Sequence, residues 1–341
     1  MLPPGTTPQS LGVARAGRQR VRLTELGAAA AEHGWALEHL APTVGTVVHG
    51  VELRRVPGDA EQCRTLRLLF AERGALFFRE QQLDHAEHMS VAGLFGPLLT
   101  RHPFARLTSR RPGAGHPDGL TEIIRIVHDA DDIGTENNWH TDLSAQPVPP
   151  GASMLVARQM PEIGGDTVFA DMEAAFESLP RATKRRLCAL RAGHILNPVT
   201  VELVKEEYSD ADKAWFNKHW PGNLDGDVLL HPLVRKHPAT GRPCLYISPQ
   251  QIAFVAGVDE DESARLLTEL NALPTVPEFQ CRFSWRANSV ALYDNVRLQH
   301  YGVSDYYPER RIVERVTIGG EPPVQAQFTE DDQDSETLSK L

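Results

Sequence analysis

The chain has 341 residues, of which 41% are hydrophobic and 23% charged, enough to bury a substantial core in one large domain. Its formal net charge of −10 argues against nucleic-acid binding, which leans on phosphate neutralisation by Lys and Arg. The four cysteines, Cys63, Cys188, Cys244 and Cys281, are scattered without a CxxC pair, and no 18 apolar residues run together, which excludes a disulfide framework, a cysteine zinc site and a membrane span and leaves a reducing cytoplasm as the expected compartment.

Residues 1–36, rich in Pro, Gly, Ala and Arg, predict a mobile N-terminal arm with at most a short helix around TELGAAAAEHG. The core is expected to begin near Leu37, with two short strands around Gly45. GDAEQCRTLRLLFAERG then sets Cys63, Leu66, Leu69 and Phe70 near one helical face, between Asp59 as N-cap and Gly74 as stop. ALFFRE reads as a buried strand and LDHAEHMSVAGLFG as a second helix. In NNWHTDLSA, His140 and Asp142 are two apart, which on a strand turns an imidazole and a carboxylate to one face. That is half of a metal site, although His116 and Asp118 in GAGHPDG share the spacing, and such a pair counts only in context.

Beyond this point GASMLVARQM and GGDTVFA predict strands, and DMEAAFESLP and RATKRRLCALRAGH predict helices separated by Pro180. Residues 197–228 have mixed polarity and no clean period, which reads as an insertion, either a lid or a crossover. HPLVRKHP, CLYIS, EFQCRFSW, VALYD and RRIVERVTIGG are strands, with a helix at DESARLLTELNAL. So many short strands with Gly, Pro and Asn turns predict a mainly β domain with flanking helices over residues 37–324, a sandwich or barrel. The acidic tail, 325–341, is expected to be disordered.

A third metal ligand is available in His300, just past VALYD and a turn at Asp294-Asn295. Two histidines and one carboxylate suit non-heme Fe(II) and dioxygen; zinc in a hydrolase or a structural site accepts the same ligands. On RRIVERVTIGG, period-2 alternation puts Arg311, Val313, Arg315 and Thr317 on one face and Ile312, Glu314, Val316 and Ile318 on the other. Two arginines on a core face need anionic partners, whether internal carboxylates or a ligand.

WHTD followed by PP, then GGDT, YDN, QH and RR-x3-R, in this order, resembles the TauD/TfdA family of Fe(II)- and 2-oxoglutarate-dependent dioxygenases, especially its taurine dioxygenase branch, over roughly Leu37 to Pro323. The resemblance implies a double-stranded β-helix, or jelly roll. It implies that His140, Asp142 and His300 hold Fe(II), and that Thr167 and Arg311 bind the distal carboxylate of 2-oxoglutarate. With O2 as oxidant, such an enzyme couples oxidative decarboxylation of 2-oxoglutarate to hydroxylation, desaturation or epoxidation of a small organic substrate.

The taurine branch grips its sulfonate with a histidine, a tyrosine, an asparagine and an arginine, and of these the resemblance maps only His102 and Arg315 onto like residues. Ala105 and Glu136 stand where that branch has tyrosine and asparagine, and Ala145, Thr200 and Gln251 stand where it has pocket phenylalanines. Small side chains imply a larger cavity, and a carboxylate at Glu136 disfavours a sulfonate. The implied substrate is a bulkier organic acid of natural-product (antibiotic) biosynthesis, such as the sesquiterpenoid lactone acids of the pentalenolactone type. The alternative is an alkylsulfonate or sulfate ester of sulfur scavenging. Neither a membrane nor a nucleic-acid partner is expected, and a homo-oligomer is compatible with the reading.

Overall fold

The computed structural model describes residues 16–100, 102, 113–131, 134, 136–219 and 223–328. Alternation along VALYD sets the layering. In the strand Val290–Asp294, Val290 and Leu292 join an outer cluster with Leu26, Leu66, Leu69 and Val91, while Ala291 and Tyr293 turn to the opposite face. This strand lies at the centre of a seven-stranded sheet ordered Ala36–His39, Thr46–His49, Ala75–Phe78, Val290–Asp294, Ala152–Gln159, Arg311–Ile318, Ile123–His128. Its pairs are antiparallel except the parallel one between Thr46–His49 and Ala75–Phe78.

The inner face of this sheet meets a smaller one, ordered Gln280–Phe283, Thr167–Asp171, Leu298–Gly302. Val47, Phe77 and Tyr293 from the first pack with Phe169, Phe283 and Leu298 from the second; Phe77 stacks on Phe283 with centroids 4.1 Å apart. Behind the smaller sheet, the helices Met172–Glu177 and Glu260–Asn271 contribute Met172, Phe176, Leu266 and Leu270 to a further apolar cluster. Arg297, fully buried, ties the layers together: its guanidinium bonds Asp171 Oδ2 at 2.7 Å and lies 3.4 Å from Glu173, and it donates to the Glu72 and Thr43 carbonyls.

Several local expectations hold. Asp59 accepts from the Glu61 and Gln62 amides at the start of helix Ala60–Arg73, which Gly74 ends at φ +66°. Asp84 and Glu87 form a reciprocal cap on helix His85–Ala92. Elsewhere the structure differs. The mobile arm expected over residues 1–36 is wrong from Ala16 onward, because a helix spans Ala16–Glu32 and its Leu26 and Ala30, with Trp35, are buried in the core; residues 1–15 lie outside the described residues. The expected disorder of the tail does not apply to its start, where Ala326 is buried and donates to Val234 O at 3.0 Å; residues 329–341 lie outside the description.

The 197–228 insertion contains two helices, Pro198–Glu207 and Asp210–His219. Only a few positions on them, Val201, Val204, Tyr208 and Phe216 among them, are buried, too few to leave a periodic signature. Together with the N-terminal helix they make the fold less dominated by strands than the residue pattern predicts. Among the described residues no helix is long and apolar enough to cross a membrane.

Candidate active site

His140 and Asp142 do not sit on a strand, as their spacing predicts. Only His140 pairs, through a two-way bridge with His300: His140 N donates to His300 O at 3.1 Å and His300 N to His140 O at 2.8 Å. Asp142 instead opens a turn, with Leu143 at φ +54°. The reason lies in Asn295, whose side chain takes the backbone bonds that a neighbouring strand would have taken. Its Oδ1 accepts from Asp142 N at 2.7 Å and Thr141 Oγ1 at 2.9 Å, and its Nδ2 donates to the Asp142 and Pro150 carbonyls, both at 3.0 Å. All four hydrogen-bonding positions of this buried amide are thereby used.

The result is convergence. One nitrogen each of His140 and His300 and one oxygen of Asp142 lie within 4.8 Å of one another, and Asp142 Oδ1 is 3.9 Å from Nε2 of both rings. His140 Nδ1 donates to Asn138 O at 2.9 Å, which leaves the Nε2 lone pair facing the carboxylate. Burial, then the neighbouring His140, pushes His300 down to about 3, so it is neutral at pH 7. Burial works against the charge on Asp142, but Arg315 and the neighbouring histidines together outweigh it and hold the carboxyl well below the usual range. Two imidazoles and one carboxylate match the donor preferences of a divalent transition metal. The rival pair is not such a site: His116 Nδ1 bonds Ile123 O and Asp118 reaches His85.

The two arginines of strand Arg311–Ile318 share a face, as the alternation predicts, and Glu314 turns away to a buried network with Arg125 and Arg158. Arg315 donates to Asp142 Oδ1 at 3.2 Å and to His102 Nε2 at 2.6 Å; burial and then Arg315 hold His102 neutral, well below its ordinary range. Arg311 is 9% exposed, yet among the described residues its guanidinium makes no hydrogen bond or ion pair, and burial lowers it from its ordinary value. It lies beside Gly165, where an added Cβ would come within 3.4 Å of Arg311 Cδ. Two residues on, Thr167 accepts from Trp285 Nε1 at 3.0 Å, which leaves its own hydroxyl hydrogen to donate.

The remaining substrate positions fare differently. Glu136 lies 3.2 Å from His128, and its carbonyl accepts from Gly302, two residues past His300. Ala145 lines no open space: it is fully buried with Leu196, Val201 and Phe216, and its amide, like Ser144 Oγ, donates to Gln251 Oε1. The cavity expected from its small side chain is filled by the helices that follow. Ala105 lies outside the described residues. Sequence reasoning missed Asn295 as a clamp, and it missed Tyr293 and Ser153, whose hydroxyls approach Asp142 Oδ2 at 3.0 and 3.4 Å; YDN marks a turn but carries no sign of what its side chains grip.

A family model described as taurine catabolism dioxygenase TauD, TfdA family, matches residues 36–317. The chain belongs to this family. It is a non-heme Fe(II)- and 2-oxoglutarate-dependent dioxygenase, with O2 as oxidant. It is 31% identical over 288 residues to the (S)-phenoxypropionate/alpha-ketoglutarate-dioxygenase of Sphingobium herbicidovorans, covering 83% of this chain and 94% of that one. It is 30% identical to an alpha-ketoglutarate-dependent sulfate ester dioxygenase of Pseudomonas putida, covering 84% and 89%. A taurine dioxygenase structure from Burkholderia xenovorans matches with a TM-score of 0.68 and 30% identity, over 85% of this chain and 93% of that one.

This TauD/TfdA-family dioxygenase buries further histidines in the neutral state. Burial brings His88, 0% exposed, and His231 down to about 4, and lowers His194 as well. Unfolded, each titrates near 6.5, so below that pH the unfolded chain binds protons that the folded chain refuses, and stability falls with pH. The loss begins near pH 6.5 and reaches on the order of 3 kcal/mol for each of His88 and His231 by pH 4. The melting temperature of the metal-free protein is therefore expected to drop steeply from pH 6.5 to pH 4; a flat profile over that window contradicts neutral burial of these rings.

Proposed function

We propose that the chain oxidises a C–H bond of a bulky organic acid, using His140, Asp142 and His300 to hold Fe(II), Thr167 and Arg311 to hold the distal carboxylate of 2-oxoglutarate, and Arg315 with His102 to read the acid group of the substrate. The paired sheets are read as the double-stranded β-helix of the family. The observation that carries the proposal is Arg311: among the described residues its buried guanidinium faces the Tyr306 ring at 5.9 Å, with Glu136 nearby, but has no hydrogen-bond or ion-pair partner, which is costly, and a carboxylate ligand beside the His-Asp-His cluster removes that cost. Zinc hydrolysis needs no 2-oxoglutarate clamp. The iron and 2-oxoglutarate together supply the oxidising power; the protein's part is to hold and orient.

Arg311 offers a planar fork that accepts both oxygens of a carboxylate, and the Thr167 hydroxyl adds a third donor. The His300 imidazole stays neutral and the Asp142 carboxylate ionised, so neither has to lose a proton before metal binds at pH 7. Arg315 stands between Asp142 and His102, where an anionic substrate group can share its remaining donors. Relatives named for phenoxypropionate and for sulfate esters support an anionic substrate, and Glu136 near the site weighs against a small sulfonate such as taurine.

Succinate formation over a panel of acids tests the substrate class. Turnover with a sesquiterpenoid lactone acid or another bulky carboxylate is expected; turnover confined to alkyl sulfates or sulfonates overturns the carboxylate reading and assigns sulfur scavenging. Arg311→Lys is expected to raise the KM for 2-oxoglutarate roughly 10- to 100-fold, as loss of a charge-assisted fork implies, without changing metal affinity. An unchanged KM would remove Arg311 from the cosubstrate site.

A further inference from the structure

The fold gives the two oxygens of Asp142 different surroundings. Oδ1 lies 3.9 Å from both imidazole Nε2 atoms and accepts from Arg315 at 3.2 Å. Oδ2 faces the other way, toward the Tyr293 hydroxyl at 3.0 Å and Ser153 Oγ at 3.4 Å. Those two hydroxyls come from one position in the large sheet, since Tyr293 and Ser153 are directly opposed in the pairing of Val290–Asp294 with Ala152–Gln159. Both residues are buried, so water does not compete for the contact. The Tyr293 ring is fixed between Phe169 and His300, at centroid distances of 5.4 and 4.8 Å, which aims its hydroxyl.

A carboxylate oxygen has two lone pairs; the Tyr293 hydroxyl takes one of those of Oδ2 at 3.0 Å, and the Ser153 hydroxyl lies 3.4 Å from the same oxygen. We propose that Tyr293, assisted by Ser153, is a positioning residue that restricts Asp142 to binding metal through Oδ1 alone. The proposal rests on the metal-site reading above. Its consequence is a matter of vacancies. A metal held by one atom from each of His140, Asp142 and His300 would keep positions open for 2-oxoglutarate and O2. A second oxygen from Asp142 would take one of these.

Tyr293→Phe removes the hydroxyl and keeps the ring. The test measures, without oxygen, first the affinity of the apo-protein for Fe(II) or Co(II), then the affinity of the metal-saturated protein for 2-oxoglutarate. Y293F is expected to bind metal as tightly as wild type or more tightly, because Oδ2 becomes a donor, and to bind 2-oxoglutarate about tenfold more weakly, the low end of what losing an outer partner costs at a metal site. Ser153→Ala is expected to shift both in the same directions by less, and it carries the test if Y293F melts early. Parallel weakening of both affinities would mean that Tyr293 only supports the fold locally, and two unchanged affinities would mean an idle hydroxyl; either overturns the proposal. Failure of the wild type to bind metal is a separate result, and it overturns the metal-site reading itself.

Discussion

Asp142→Ala is expected to abolish turnover and metal binding together. The carboxylate is the one acidic group in a cluster whose other members are imidazoles, and it is also the counter-charge of Arg315 at 3.2 Å. Loss of a direct ligand should exceed the roughly 10- to 100-fold penalty seen when a partner one shell further out is lost. The same change strands a buried guanidinium, so the melting temperature should fall as well. His140→Ala separates the two effects. Among the described residues His140 has no ion-pair partner apart from Asp142 itself, so this variant is expected to lose turnover while melting near wild type. Metal titration by calorimetry and succinate assay of both variants check this; substantial activity in either would remove that residue from the metal centre.

The largest effect on stability is expected far from the metal. Arg297→Met removes the cation that lies 2.7 Å from Asp171 and 3.4 Å from Glu173, both fully buried. Arg242, 2.8 Å from Glu173, remains for that residue. Removing one partner of a buried pair costs about 3–5 kcal/mol, which for a domain of this size corresponds to a melting temperature lower by on the order of 10 °C. Arg297 also donates to the carbonyls of Glu72 and Thr43, so the helix Ala60–Arg73 loses an anchor in the same step. Thermal melts at pH 7 give the answer, and a variant within a degree or two of wild type would show that the acids find compensation elsewhere.

How far the residues alone foretold the molecule depended on whether the signal was local. Asp59 and Gly74 are legible because a helix end is settled within four residues. The face of strand Arg311–Ile318 was legible because strand alternation is strict, and both arginines lie where it puts them. The motif order located His140, Asp142, His300, Thr167 and Arg311. The geometry that joins them was not legible: a strand was expected at HTD, whereas the turn exists because Asn295, more than 150 positions away, supplies the bonds. The strand Leu298–Gly302 that carries His300 was hidden behind the turn signal of Asp294-Asn295, and Ile123–His128 also went unread. The N-terminal helix was legible only as a short one around TELGAAAAEHG, because only a few of its positions, Leu26 and Ala30 among them, enter the core.

The account stands or falls on whether one pocket holds both iron and 2-oxoglutarate. Apo-protein under nitrogen, given Fe(II) and then 2-oxoglutarate, should develop a weak visible charge-transfer band that needs both additions, shifts when a bulky organic acid follows, and is missing from His300→Ala. Bound Fe(II) with no band on adding 2-oxoglutarate, or a full band in His300→Ala, would contradict the assignment of this site.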